Sequence, residues 1–391
     1  MLDVTSWFMV QLEDRSSQPV RQFLIGTSDY SDRVLKWPTI KRTANDLRTS
    51  KITVQLDNAD GVMNHFYAET YKIVQRGYLK LGFTHADSGT EYATLYTGEC
   101  KEVSYKDERC DIKMRDLLHG LSEKKVGDSS TPVTMTDINP IGAVWYLCAS
   151  YGYLSTITSN TNPDIDMNTY YAVWSSYDLD SVLVDVRFDG GRVIEGISAI
   201  ADHADFAVFT GPDGKIKFKK FVEPDSNDLT ITHDHYTDFQ IDVETLRLVN
   251  KAFVDWEYSA ASDYWLYQCY SVSSTSVDSF GVHDKLYRSE NVWYVDSVSA
   301  LVAAQRMTTR YSSPPRRFVV NTDLYAMRPE LGETIRLVDS FFNITSGGGW
   351  RLVEQQINMD TGRVMLEMDE TATLNGFFLD VSNLDGDEVL L

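Results

Sequence analysis

Ile52-Thr53-Val54-Gln55-Leu56 runs straight into Asp57-Asn58-Ala59-Asp60-Gly61, and this junction decides the class of fold. Ile52, Val54 and Leu56 fall on one side of an extended chain, with Thr53 and Gln55 on the other, the period-two signature of a half-buried antiparallel strand. The five residues that follow supply turn chemistry, with positions able to take left-handed backbone. Working outward, residues 78–83 and 93–96 repeat the alternation. Residues 98–116 read as a hairpin turning near Lys106-Asp107-Glu108, which sets Cys100 opposite Met114 rather than Cys110, so no Cys100–Cys110 bridge is expected. Helical spacing then appears at Leu117, Leu118 and Leu121. The expectation for residues 1–120 is a β-barrel or sandwich closed by a short helix.

The character changes over 121–240. Asn139-Pro140 offers an N-cap with proline at the first helical position, and Ile141, Val144, Trp145 and Cys148 form one apolar stripe that ends before Gly152. Residues 155–180, rich in Ser, Thr, Asn and Tyr, show no sustained period and predict a long loop or irregular insertion. Val193, Ile197, Ile200 and Ala204 predict a second helix. Residues 206–210 and 215–220 flank Gly211-Pro212-Asp213-Gly214, a hairpin in which proline presets one dihedral and glycine accepts positive φ. This block is expected to be an inserted α+β domain.

Strand patterns return over 241–370, at 252–258, 265–270, 318–321, 333–338, 350–353 and 364–368. A helix over 294–311, with Val298, Leu301, Val302 and Gln305 on one face, is stopped by Pro314-Pro315. Gly347-Gly348-Gly349 and Asp360-Thr361-Gly362 mark loops. Residues 371–391 read as a C-terminal arm. The chain is thus expected to be mainly β with an α+β insertion.

Composition narrows the function. The chain has 391 residues, 43 % apolar and 24 % charged, with 23 Gly and 10 Pro, which is globular rather than low-complexity. Acidic residues number 57 against 36 basic, a net charge of −21, and this argues against a grip on nucleic-acid phosphates. The four cysteines, Cys100, Cys110, Cys148 and Cys269, lack zinc spacing and read as reduced core residues. No leader pattern opens the sequence, and no run approaches the ~18 apolar residues of a membrane helix, so no membrane insertion is expected.

No residue is assigned a catalytic, cofactor or metal role. His233-Asp234-His235 would put two rings on one face of a strand, but a third ligand is missing and the neighbours Thr230, Thr232, Tyr236 and Thr237 point to a polar strand or turn. His203 and Asp205 end a helix, where a histidine answers the helix dipole. Asp57 and Asp60, and the run Asp380, Asp385, Asp387, Glu388, lack the spacing of a calcium loop. No carboxylate pair, nucleophile elbow or phosphate loop stands out. The eight Trp and twenty-two Tyr are scattered among strands, where aromatics fill cores and oligomer interfaces. They leave a carbohydrate-binding or carbohydrate-acting β protein as the alternative of a different class.

Four segments together resemble the tail (baseplate) hub proteins of long-tailed bacteriophages and of gene transfer agents. They are residues 56–61 after a strand; Tyr96-Thr97-Gly98-Glu99 leading to residues 114–118; residues 194–201 followed by residues 212–216; and the helix before Arg310 followed by residues 329–335. The resemblance implies two tail-tube-like β domains, 1–120 and 241–370, which alternate around a homotrimeric ring so that three chains fill six positions. It implies a distal tail or tail-tube protein above, a tip, spike or fibre protein below, a possible tape-measure contact, and DNA passing through without specific binding. It further implies no enzyme activity and a place at the tail tip of a virion assembled in the host cytoplasm. The chain shows no OB-fold, lysozyme-like or β-helical spike region. A contractile injection-system spike hub shares the ring logic and differs by context.

Overall fold

The computed structural model describes the chain except residues 1–3, 15, 45–50, 69–74, 153, 155–161, 180–181, 221–228, 260–261, 263, 290, 340–343, 345–348 and 371–391. The expected C-terminal arm, with its acidic run, and Gly347 and Gly348 lie outside the described residues. The first sheet is antiparallel. It contains β1 (Val20–Ile25), β2 (Ser28–Asp29), β3 (Val34–Lys36), β5 (Lys51–Asp57), β6 (Arg76–His85), β7 (Gly89–Lys106) and β8 (Arg109–Arg115), in the order β2-β1-β6-β7-β8-β5-β3. Ile52, Val54 and Leu56 of β5 are buried, and Gly61 takes φ +69 in the turn that follows. Cys100 pairs with Met114 across β7 and β8, and all four cysteines are free thiols. Helix α1 (Ser6–Glu13) buries Phe8 against Phe83 at 5.1 Å, and the single turn α2 (His65–Ala68) buries Phe66. The strand β4 (Thr39–Thr43) leaves this sheet altogether.

The intervening elements build a separate lobe. It holds α3 (Leu117–Leu121), β9 (Val133–Ile138), α4 (Pro140–Ser150), α5 (Met167–Leu179), β10 (Val184–Phe188), α6 (Val193–Ala204), β11 (Phe206–Thr210) and β12 (Ile216–Lys220). Asn139 caps α4 by accepting from the Ile141 N–H, with Pro140 at the first position as expected. Helix α5 corrects the expectation of an irregular 155–180. Asp166 caps it by accepting from the Asn168 and Thr169 N–H groups, and Tyr170, Val173 and Tyr177 bury one stripe. The surrounding Ser, Thr and Tyr hid that stripe, because propensity is a weak prior against packing.

The second sheet contains β13 (Thr230–Thr232), β14 (Tyr236–Val243), β19 (Arg316–Thr322), β20 (Thr334–Val338), β21 (Gly349–Asn358) and β22 (Arg363–Glu370), ordered β13-β20-β21-β22-β19-β14, with β4 paired to β21. This order repeats the first sheet strand for strand, as β1-β6-β7-β8-β5-β3. The repetition extends to irregularities. The register shifts between Cys100 and Glu102 against β8, and between Leu352 and Glu354 against β22. It shifts again between Val34 and Lys36 and between Tyr236 and Asp238. A 3-10 turn follows β5 at Val62–Asn64 and β19 at Leu324–Met327. The repeats differ at one margin, where β1 is antiparallel to β6 but β13 is parallel to β20, and in the register shift between Leu79 and Lys80 against β7, which the shorter β20–β21 pairing lacks. Both sheets curl as open half-barrels, and their inward faces contribute to a single core that includes Phe23, Leu79, Phe318 and Trp350.

Residues 251–311, expected within the second β domain, instead join the lobe. They form β15 (Lys251–Ser259), β16 (Tyr264–Val272), α7 (Ser274–Phe280), β17 (Asp284–Tyr287), β18 (Val292–Tyr294) and α8 (Ser297–Tyr311). Ala252, Val254, Val292 and Ala304 share a core with Ile141, Ile197 and Phe218. Alternation identifies a strand but not the sheet it enters, which is why the sequence pattern grouped these strands with the later ones. Helix α8 is where it was expected, with the opposite face inward: Ala300, Ala303 and Ala304 are buried, while Val298 and Leu301 are 59 % and 40 % exposed. β11 is buried along its whole length. Phe206 and Val208 face the lobe core, and Ala207 and Phe209 face the core of the two sheets.

Candidate assembly interface

The two sheets meet through β4, which runs antiparallel beside the second half of β21, Thr39 opposite Asn358 and Thr43 opposite Glu354. Ile40 is fully buried there, and Lys41 Nζ lies 2.9 Å from Glu354. Arg42 is the clamp: its guanidinium donates to the Leu95 carbonyl of the first sheet and to Gln355 Oε1 of the second. Burial pulls the Arg42 guanidinium down to about 10, with the carboxylates of Glu330 and Asp213 acting against it. Gln355 completes the joint by donating to the Ala326 and Pro329 carbonyls. A buried polar cluster with its partners in place fixes one geometry, since an unpaired member costs about 1–3 kcal/mol.

The lobe is fastened to the second sheet by ion pairs. Lys217 Nζ of β12 lies 2.7 Å from Glu330. Arg247, in the turn after β14, bridges Glu244 at 2.9 Å and Asp369 of β22 at 3.2 Å. Arg310–Asp205 stays within the lobe, and Arg316 and Arg317 hold Glu370 and Glu367 within the second sheet. The lobe is fastened to the first sheet through the Gly211–Gly214 turn, where Thr97 Oγ1 donates to the Pro212 carbonyl at 2.8 Å.

Two further sheet margins have no strand beside them among the described residues. β14 closes one side of the second sheet and exposes Thr237, Asp238, Gln240 and Val243. β16 pairs on one side only among the described residues, and its Tyr264, Tyr267 and Tyr270 are 52 %, 54 % and 60 % exposed. Edges of this kind are templates for pairing with another chain.

The residues that sequence reasoning weighed do not converge on chemistry. His233 and His235 sit in a 3-10 turn rather than a strand. His235 accepts at Nδ1 from the Thr232 N–H and stacks on Tyr325 at 4.6 Å, whereas His233 meets Tyr236 edge-on. No group of three metal-ligating side chains occurs among the described residues. Asp57 accepts from the Ala59 N–H; Asp60 accepts from Arg33 at 2.7 and 2.9 Å and from the Val62 N–H, contacts that hold its carboxyl at about 2. His203 is corrected in role. Burial pushes it down to about 4, so it is neutral, stacked on Tyr294 at 4.4 Å, and not a charge answering the helix dipole. Asp205 takes the left-handed position that ends α6. Sequence reasoning missed Arg42 and Gln355, which no motif or spacing in the sequence marks.

No family model and no curated protein matches this chain. Solved structures with the same fold do exist. The tail protein from Neisseria meningitidis superposes with a TM-score of 0.56 at 10 % identity, over 90 % of this chain and 96 % of that one. The 43 kDa tail protein of prophage MuSo2 from Shewanella oneidensis gives 0.52 at 10 % identity, over 90 % and 98 %. A prophage tail protein from Listeria monocytogenes gives 0.52 at 10 % identity, over 90 % and 95 %. The fold is therefore that of phage tail proteins, matched along nearly the whole length of both partners.

Proposed function

We propose that this chain is a structural subunit of a phage-type tail, a hub whose three copies close a ring at the distal end of the tail tube. Residues 4–115 and the pair of segments 230–243 and 316–370 would be two quasi-equivalent ring positions, with 117–220 and 251–311 forming a peripheral lobe. The observation that carries this is the strand-for-strand repeat, with two matching register shifts, of two open sheets joined around one core. Two similar sheets per chain turn three copies into six similar positions, which is the arithmetic needed to join a six-fold tube above to a three-fold tip below. Closure also removes sheet edges that would otherwise aggregate. The fold shared with phage tail proteins over 90 % of the chain supports the same reading.

The mechanism is geometric: the ring transmits symmetry, carries tip, spike or fibre proteins, and encloses a channel for DNA. No catalytic step is assigned: among the described residues, His233, His235, Asp57 and Asp60 are engaged in turns, ring contacts or an ion pair. The test is the copy number at the tail end in an image of a particle that carries this protein. Three copies are expected; one or six would overturn the ring.

A further inference from the structure

Two departures from the repeat meet at one side chain. The first is β4, which lies between first-sheet strands in the sequence but pairs with β21 of the second sheet. The second is a bulge in the first sheet: β6 pairs Leu79 with Tyr96 and Lys80 with Thr94, so Leu95 is an extra residue with no partner opposite it. The corresponding pairing of β20 with β21 runs from Thr334–Arg351 to Arg336–Gly349 without a shift. A bulge re-aims the strand that carries it. Here the Leu95 carbonyl accepts from the Arg42 guanidinium of β4.

Arg42 stands where three parts of the molecule converge. Its second hydrogen bond runs to Gln355 Oε1 on β21, a buried side chain that is itself held by the Ala326 and Pro329 carbonyls. Of the carboxylates that balance its buried charge, Glu330 precedes β20 and Asp213 sits in the Gly211–Gly214 turn of the lobe. First sheet, second sheet and lobe thus each present a group to one guanidinium. Polar ties between the sheets at their rim are exposed: Arg21 donates to the Asp360 carbonyl at 3.0 Å, and Arg328 pairs at 3.2 Å with Glu13 of α1. Exposed ties of that kind hold geometry weakly, because water competes for both partners. Apolar contact in the shared core joins the sheets without direction. A planar guanidinium held at two points has one orientation.

We infer that Arg42 is the positioning residue that sets the rotation between the two sheets, and that this rotation closes the ring at three copies. The inference rests on the ring reading above. In a ring of two-sheet chains the joint inside a copy alternates with the joint between copies, and the two rotations together make one third of a turn. An error at the inner joint is repeated in every copy. A head-to-tail contact whose rotation does not close gives an open assembly in place of a ring.

Spin labels on unnatural amino acids at Glu108 and Thr361, exposed residues in the turns that join β7 to β8 and β21 to β22, test it in the full-length protein diluted with unlabelled copies. The parent is expected to give one narrow distance distribution. Arg42→Met, which keeps a long side chain and removes its donors, is expected to widen that distribution at least twofold with an unchanged circular dichroism spectrum. Particles built with Arg42→Met are expected to lack the closed end of three copies. An unchanged distribution in folded Arg42→Met overturns the inference, as does a parent distribution already as broad. A widened distribution with three copies still closed at the tail end overturns the link to copy number. Should Arg42→Met not fold, Arg42→Lys, which keeps the buried charge and loses the planar fork, carries the same expectations. Parent particles with one or six copies overturn the ring and with it the link to copy number, whereas the label distances decide the role of Arg42 at the joint in either case.

Discussion

At the scale of single residues, two positions carry more than their sequence suggests. Gly214 takes φ +82 at the end of the Gly211–Gly214 turn, and a Cβ there would lie 2.9 Å from Thr97 Cγ2 on β7. Gly214→Val combines backbone strain with a clash at a joint between lobe and sheet, and should cost roughly 2–3 kcal/mol. The urea midpoint checks this, and an unchanged midpoint would mean the turn sits elsewhere. His203 makes a pH prediction. Its ordinary value is 6.5 and burial lowers it to about 4 in the fold. Above pH 6.5 the folded and unfolded chains are both neutral at this site. Below it the unfolded chain takes a proton that the folded chain refuses, so stability falls as pH drops from about 6.5 toward about 4. His203→Phe keeps the stack on Tyr294 and removes the proton, so its loss of stability between pH 7 and pH 5 should be smaller than the parent's by about 2 kcal/mol. Parallel pH profiles for the two proteins would refute this.

Among the elements, α8 shows how periodicity can locate a helix and still mislead about its face. The apolar stripe Val298-Leu301-Val302 has helical spacing, yet Ala300, Ala303, Ala304 and Thr308 are buried, because α8 lies close against β15 and β16. Thr308 Oγ1 lies 2.9 Å from Ser271 Oγ across that contact. Small residues permit the approach and larger ones would not fit. Ala304→Leu should therefore cost roughly 1–3 kcal/mol by overpacking, and Val298→Ala less than about 0.5 kcal/mol. Thermal unfolding of the two variants separates the faces, and the reverse ranking would put the apolar stripe inside.

For the whole molecule, the net charge of −21 bears on what a ring of three copies could surround. DNA carries one negative charge per ~1.7 Å of axis, and a basic wall would retain it. At about 0.15 M salt the screening length is about 8 Å, so an acidic wall acts only on a strand close to it, where a sliding duplex would stick. The protein is expected to leave duplex DNA unretained on a column even at about 0.05 M salt, where phosphate contacts are strongest. Retention that disappears as salt is raised would contradict a neutral or acidic channel.

The sequence by itself determined local conformation wherever chemistry and pattern are local. The strand and turn at residues 52–61, the Cys100–Met114 register and the Asn139-Pro140 helix start follow from alternation, turn residues and capping. The positive φ of Gly214 follows in the same way. Only the tertiary structure decided which strands share a sheet. Residues 252–258 and 318–321 alternate alike, yet one pairs in the lobe and the other in the second sheet, because pairing is chosen by the partner surface and not by the strand's own period. It also decided that Arg42, a basic residue in a short strand, joins the two sheets, and that the two sheets are one design repeated. Their likeness resides in register and bulge position, which many side-chain sequences can satisfy.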